Sequence, residues 1–301
     1  MRTLIRVILI ALGALALLVA LAAGAFLLAN RTNGTLVSSG EKRAYLLYVP
    51  DSYDPTVPAP LVVSFHGFAE WPAHQMRISG WNELADRYGF IVVYPSGTGF
   101  PLGWRTHGTA GPTPPIDVLF VSDLIDELEA RFNIDATRIY ANGLSNGGGM
   151  AFVLSCALSE RIAAIGGVSG AYLLPWELCT PSRPVPTIVF HGTDDPIVPY
   201  QGGPSRSFNI AFPAIPAWVA MLAERNGCHE TPVELPRMGE ATGVAYSGCS
   251  ASVAFYTIAG GGHAWPGGEP LPEMIVGHTT QDLNATQLMW DFFQAHRLAD
   301  D

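Results

Sequence analysis

The sequence has 301 residues, a formal net charge of −10 and only 14% charged residues. That length fits one large α/β domain or two small ones, and its glycines and prolines are spread as in a loop-rich globular chain, with no repeat or low-complexity tract. Setting aside Arg2, Arg6 and Arg31 leaves 13 basic residues against 26 acidic, a balance that excludes nucleic acid and strongly anionic surfaces as partners but leaves neutral substrates open.

The chain opens with "MRTLIR" and an uncharged apolar run from Val7 to Ala29. The run exceeds the core of an ordinary signal peptide and is long enough to span a bilayer. Arg2 and Arg6 place its start inside and the rest of the chain outside. Cleavage after the small-x-small site Ala23–Ala25 would leave "FLLA" exposed, which favours an anchor over a signal peptide. Residues 1–29 are therefore expected to be an anchor or signal, 30–41 a polar tether, and 42–298 one catalytic domain. Four cysteines, Cys156, Cys179, Cys228 and Cys249, all follow the run, where disulfides form. They allow three pairings. Nearest-neighbour pairing, Cys156–Cys179 and Cys228–Cys249, is expected, and the lack of a Cys-x-x-Cys pair argues against zinc.

Strands are expected at "RAYLLYVP" from Arg43, "PLVVSFHG" from Pro60 and "FIVVYP" from Phe90, with a helix at "WNELADRYG" between the last two. Pro95–Pro115 is a long Gly- and Pro-rich loop, a length that is usually functional. A helix follows from Asp117, with Val118, Val121, Ile125, Leu128 and Phe132 on one face. Next come a strand at "RIYANG", a helix at "NGGGMAFVLSCAL", and strands at "IAAIGGVSG" and "PTIVFHG". Ile215–Asn226 is a helix, "ASVAFYTIAG" a strand and Thr286–Arg297 the closing helix. The alternation predicts an α/β protein with a mostly parallel sheet covered on both faces, its site beyond the carboxyl ends of the strands.

Ser145 lies in Gly-x-Ser-x-Gly between a strand and a helix, the context of a nucleophile elbow. The sharp turn requires the small neighbours Gly143 and Gly147. A serine hydroxyl needs a base. Of the late histidines, His263 in "GGGHAWPGG" occupies a loop after the last strand, whereas His278 lacks the glycine setting and His296 falls in the closing helix. The orienting acid is Asp194 or Asp195, which spacing alone leaves open. The N–H groups of Asn146 and Phe68 are the expected oxyanion donors. His66 then shapes the loop that carries Phe68.

From Gly40 to Arg297 the chain resembles exported esterases of the polyhydroxybutyrate depolymerase and feruloyl/acetylxylan esterase type, within the α/β-hydrolase fold. The resemblance rests on "HGF…GWNELADRYGFIVVYP", "GLSNGGGMAF", "HGTDDPIVPY", "GGGHAWPGG" and "LMWDFFQAH", in the family's order. It implies Asp195 as the triad acid, supports Ser145 and His263, and makes Trp104 and Trp265 candidate substrate-site walls. Tyr172, Trp176 and Phe208 lie in loops expected near the same pocket. Phe68 departs from the smaller residue or cysteine that many members carry, which narrows the acyl pocket. The lack of a linker and polymer-binding module points to soluble esters or oligomers. The implied activity is ester hydrolysis through an acyl-enzyme, with no cofactor or metal. A serine peptidase of prolyl-oligopeptidase type and an inactive binding protein on the same scaffold are the alternatives. Oligomeric state is left open.

Overall fold

The computed structural model describes residues 2–29, 31–107 and 115–299, so part of the expected long loop (108–114) and the final two residues lie outside it. Helix α1 (Arg2–Ala29) contains a segment, Ile8–Phe26, of mean hydropathy 2.7 that is not buried, although Phe26 at its end meets Trp71 edge to face with ring centroids 5.0 Å apart. By length and composition it is able to cross a membrane.

A hairpin of β1 (Gly34–Ser38) and β2 (Glu41–Tyr48) comes next, turning through Ser39 (φ 51°) and Gly40 (φ 79°). Two consecutive positive φ angles suit the twist of paired strands. Much of the segment expected to be a polar tether is thus the sheet's edge strand. Its polar letters hide this, but Leu36 packs against the core, and the Asn33 side chain donates to the Leu47 carbonyl and accepts from the Leu47 N–H.

The central elements follow as β3 (Ala59–Phe65), α2 (Pro72–Ser79), α3 (Trp81–Tyr88), β4 (Ile91–Pro95), α4 (Ile116–Arg131), β5 (Ile134–Leu144), α5 (Asn146–Ala157), β6 (Ala164–Val168) and β7 (Thr187–Gly192). A short ribbon, β8 (Gly203–Pro204) with β9 (Ala211–Phe212), precedes α6 (Ile215–Arg225). The hairpin β10 (Val233–Met238) and β11 (Ala241–Tyr246) leads to β12 (Val253–Ile258), α7 (Glu273–Val276) and α8 (Ala285–Gln294). The closing helix starts one residue before the expected Thr286 because the Asn284 side chain caps it, accepting the Gln287 N–H.

The ten-stranded sheet runs β1-β2-β4-β3-β5-β6-β7-β12-β11-β10. Its middle, β4 through β12, is parallel, and both ends are antiparallel. The sequence of β3 shows why both faces are covered. Leu61, Val63 and Phe65 point into the core under α4, α5 and α6, while Val62 points to the core under α3 and α8. Strand β4 repeats the pattern with Ile91 and Val93 on one face and Val92 and Tyr94 on the other. This is the doubly covered, mostly parallel sheet expected from the sequence.

Both expected disulfides are present. Cys156–Cys179 ties α5 to the turn at Trp176–Leu178, and Cys228–Cys249 ties the end of α6 to the segment before β12.

One buried ion pair fixes the loop after β4. Arg43 Nη2 lies 2.9 Å from Asp117 Oδ1, with both side chains almost fully buried and the guanidinium over the Phe120 ring. Asp117 Oδ2 accepts the Arg105 N–H, and Arg43 donates to the Ser96 carbonyl. Strand β2, helix α4 and the 96–105 loop are thereby joined at one carboxylate. Removing one partner of such a pair strands the other charge in the interior. Asp117→Ala is expected to lower unfolding free energy by about 3–5 kcal/mol in a urea titration; a loss under about 1 kcal/mol would show that the pair does not hold this loop.

Candidate active site

Strand β5 ends beside β3, with Gly143 in register with Phe65, and the chain then reverses into α5 through Ser145. Ser145 has φ 56° and ψ −118°, a backbone conformation that L residues avoid at a cost of about 1–3 kcal/mol. Three hydrogen bonds impose it. The Ser145 N–H donates to the Val168 carbonyl, and its carbonyl accepts from the Gly149 and Ala171 N–H groups, at 2.9–3.0 Å. The flanking glycines are steric necessities. A Cβ on Gly147 would collide with the Phe65 carbonyl, and one on Gly143 with the Gly147 carbonyl. The elbow expected from Gly-x-Ser-x-Gly is therefore present in backbone form.

His263 and Asp195 come together 68 residues apart in the chain. His263 Nδ1 is 2.8 Å from Asp195 Oδ2, and both side chains are buried. Asp195 follows β7, and its Oδ1 accepts the N–H groups of Ile197 and Val198. Burial alone would raise its pKa, but the charge on His263 and hydrogen bonds from His191 and His263 outweigh that and hold it well below the ordinary carboxylate range. Burial likewise opposes charge on His263, yet the Asp195 charge and hydrogen bond, with help from Glu70, raise its pKa above the ordinary 6.5. Asp194 is turned elsewhere: its Oδ1 accepts from the Thr193 hydroxyl. Among the described residues no hydrogen bond joins the Ser145 hydroxyl to His263.

The two expected oxyanion donors frame the serine. Asn146 is the first residue of α5, where an N–H has no partner within its helix. Among the described residues neither its N–H nor that of Phe68 has a hydrogen-bond acceptor. The Asn146 side chain anchors the 96–106 loop instead, with Oδ1 accepting the Trp104 N–H at 2.7 Å and Nδ2 donating to the Trp104 carbonyl. His66 locks the loop from beneath. Its Nδ1 pairs with the Gly67 carbonyl, and its Nε2 accepts the Gly97 N–H. Burial lowers its pKa, which keeps it neutral and fit for both roles.

A cavity of about 600 Å³ opens at Ser145 and Asn146. Its walls are mostly apolar and include Phe68, Leu173, Val198, Phe208 and Phe212, with Arg105 and His107 among the few charged or polar linings. Phe68 and Phe208 meet edge to face, ring centroids 5.6 Å apart. Of the two tryptophans expected as walls, Trp104 does border the cavity, but it is 4% exposed and its Nε1–H is spent on the His66 carbonyl. Trp265 is not a wall. It is 1% exposed, packs in the core under α3 and α8, and donates to the Thr286 hydroxyl. Tyr172 and Trp176 stack with Trp218 behind α5 rather than at the cavity. His278 pairs with Glu240 and His296 with the Phe292 carbonyl, so neither competes for the site.

Two groups at the site have no motif of their own. His191 Nε2, at the end of β7, lies 3.3 Å from Asp195 Oδ2. Glu70 accepts the Gly67 N–H at 2.9 Å, inside the turn that carries Phe68.

The family model described as esterase PHB depolymerase matches residues 43–174. Feruloyl esterase C of Emericella nidulans is 28% identical over 274 residues, 88% of this chain and 87% of its own length. A bifunctional acetylxylan esterase/xylanase of Neocallimastix patriciarum is 34% identical over 162 residues, 54% of this chain but only 23% of that longer protein. The solved structure of acetyl xylan esterase from Aspergillus awamori superposes with a TM-score of 0.58 at 16% identity, over 74% of this chain and 89% of that one, a likeness of fold. The sheet order, the elbow and these relatives agree in supporting a polyhydroxybutyrate depolymerase/feruloyl esterase type of α/β-hydrolase, and the chain is a carboxylic ester hydrolase.

Proposed function

We propose that the protein is an exported serine esterase acting on short hydroxyalkanoate oligomers or on feruloyl or acetyl esters through an acyl-enzyme. The observation that carries this reading is the strained Ser145 at the cavity with the unpartnered N–H groups of Asn146 and Phe68 among its lining residues, together with the buried Asp195–His263 pair that follows the neighbouring strands β7 and β12. Ser145 attacks the ester carbonyl while His263 takes its proton and passes it to the leaving alcohol. Asp195 holds the imidazole in the tautomer that leaves Nε2 free, and the two N–H groups receive the oxyanion. Water then repeats the sequence on the acyl-enzyme. The apolar cavity takes the acyl group, and Phe68 and Phe208 bound its size.

The unburied apolar helix and the two disulfides support export. Residues 1–29 act as the anchor or signal, and the catalytic domain extends through residue 298, a reading supported by the Leu298 N–H on the Thr137 carbonyl of β5. N-terminal sequencing of the exported protein separates anchor from cleaved signal.

Ser145→Ala is expected to lower kcat on a nitrophenyl butyrate by at least about 10⁴-fold; wild-type turnover in this variant would refute the mechanism. The pH dependence has a definite sign. His263 must be neutral to accept the serine proton, and its pKa is raised above 6.5, so kcat/KM should climb along an acid limb centred above pH 6.5. Asp195→Asn is expected to move that limb down and to lower kcat by about 10⁴-fold. A wild-type limb centred below 6.5 would contradict the Asp195–His263 coupling. Phe208→Ala should open the acyl cavity, raising kcat/KM for a nitrophenyl octanoate relative to the acetate by about 10-fold; an unchanged ratio would remove Phe208 from the acyl wall.

A further inference from the structure

The turn between β3 and α2 is built around a carboxylate. Gly67–Glu70 closes with the Glu70 N–H on the Gly67 carbonyl, and Ala69 takes a positive φ of 62°. The Ala69 N–H is tied to the Leu102 carbonyl at 2.8 Å. Glu70 then folds its own side chain back, and Oε2 accepts the Gly67 N–H at 2.9 Å. This removes the Gly67 N–H from competition and leaves that of Phe68 as the turn's free donor beside Ser145. The turn lies directly over the nucleophile, since a Cβ on Gly67 would come within 3.5 Å of Ser145 Cβ.

We infer that Glu70 is a positioning residue for the ester hydrolysis proposed above: its carboxylate pins the turn that presents the Phe68 N–H, and it sets a second negative charge within electrostatic reach of His263. The inference rests on that reading of Ser145, Phe68 and His263. A half-buried carboxylate needs support, and the structure supplies it. His74, one turn into α2, has Nδ1 3.3 Å from Glu70 Oε2. The titratable groups that face Glu70 are His66 at the end of β3, His74 on α2 and His263 after β12. Those that face His263 are Asp195 and Glu70. Burial opposes ionisation of Glu70, but His74, the Gly67 N–H and His263 together keep its pKa below the ordinary value. Glu70 therefore carries its charge throughout the working pH range, and His263 answers to two carboxylates.

The two effects separate by substitution. A glutamine keeps an oxygen able to accept the Gly67 N–H but loses the charge, while an alanine loses both. Glu70→Ala is expected to lower kcat on nitrophenyl butyrate by about 10- to 100-fold at nearly constant KM. Glu70→Gln should retain at least about a third of wild-type kcat, because the acceptor is kept. In both variants the acid limb of kcat/KM should move down by about half a pH unit, since His263 loses a stabilising charge. A merely structural residue would not move that limb. Kcat within about twofold of wild type in Glu70→Ala, or an acid limb that stays in place in Glu70→Gln, would overturn the inference. If the alanine variant does not fold by circular dichroism, the glutamine limb alone decides. Ser145→Ala assayed alongside keeps the failures distinct: activity there sinks the serine mechanism itself, whereas an inactive Ser145→Ala with unaffected Glu70 variants sinks only the role of Glu70.

Discussion

The site depends on one steric constraint, the contact of the Ser145 turn with the end of β3. Strand β5 and helix α5 meet at an angle that leaves no room for a Cβ at Gly143 or Gly147. The same closeness brings the Phe65–Phe68 segment over the serine, so a single packing event places both Ser145 and the loop bearing Phe68. The strain in Ser145 is sustained because its N–H and carbonyl are bonded to β6 and the residues after it. Sheet order then brings the remaining groups to this edge. Strands β7 and β12 are parallel neighbours, and Asp195 and His263 leave their carboxyl ends side by side.

Around that contact the polar groups form a supporting frame with divided duties. His66, neutral and buried, braces the turn below Phe68 against the 96–106 loop. Asn146 spends its side chain on the same loop and keeps its N–H free. Asp117 and Arg43 secure the far end of that loop against α4 and β2. The result is an apolar cavity bordered by this hydrogen-bonded loop, with the Phe68–Phe208 ring contact in its wall. Such a division suits the ester hydrolysis proposed above, which needs fixed donors where charge develops and an apolar surface for the acyl group.

Much of this was legible in the sequence because it is written in local patterns. Buried parallel strands such as "LVVSF" and "TIVFHG" are apolar throughout, and the Gly-x-Ser-x-Gly spacing encodes the elbow directly. The pairing of cysteines followed from their spacing. What escaped has a physical reason in each case. Strand β1, "GTLVS", is short and lies in a polar stretch, and the adjoining Asn33 ties the chain to Leu47 of β2. Helix α2 is short and lacks a clear apolar period, and β10 carries a proline. The resemblance made Trp265 a candidate wall, but its side chain packs in the core and donates to the Thr286 hydroxyl. Glu70 and His191 were invisible as site residues because their roles arise from a turn and a strand register that no local pattern specifies.

The central claim is that Ser145 is an activated nucleophile at the mouth of the cavity. Its most direct test is to treat the intact protein with a fluorophosphonate and map the adduct by peptide mass spectrometry. The account predicts one adduct, on the peptide containing Ser145, and its loss in His263→Ala. An adduct on another residue, or an unlabelled protein, would contradict it.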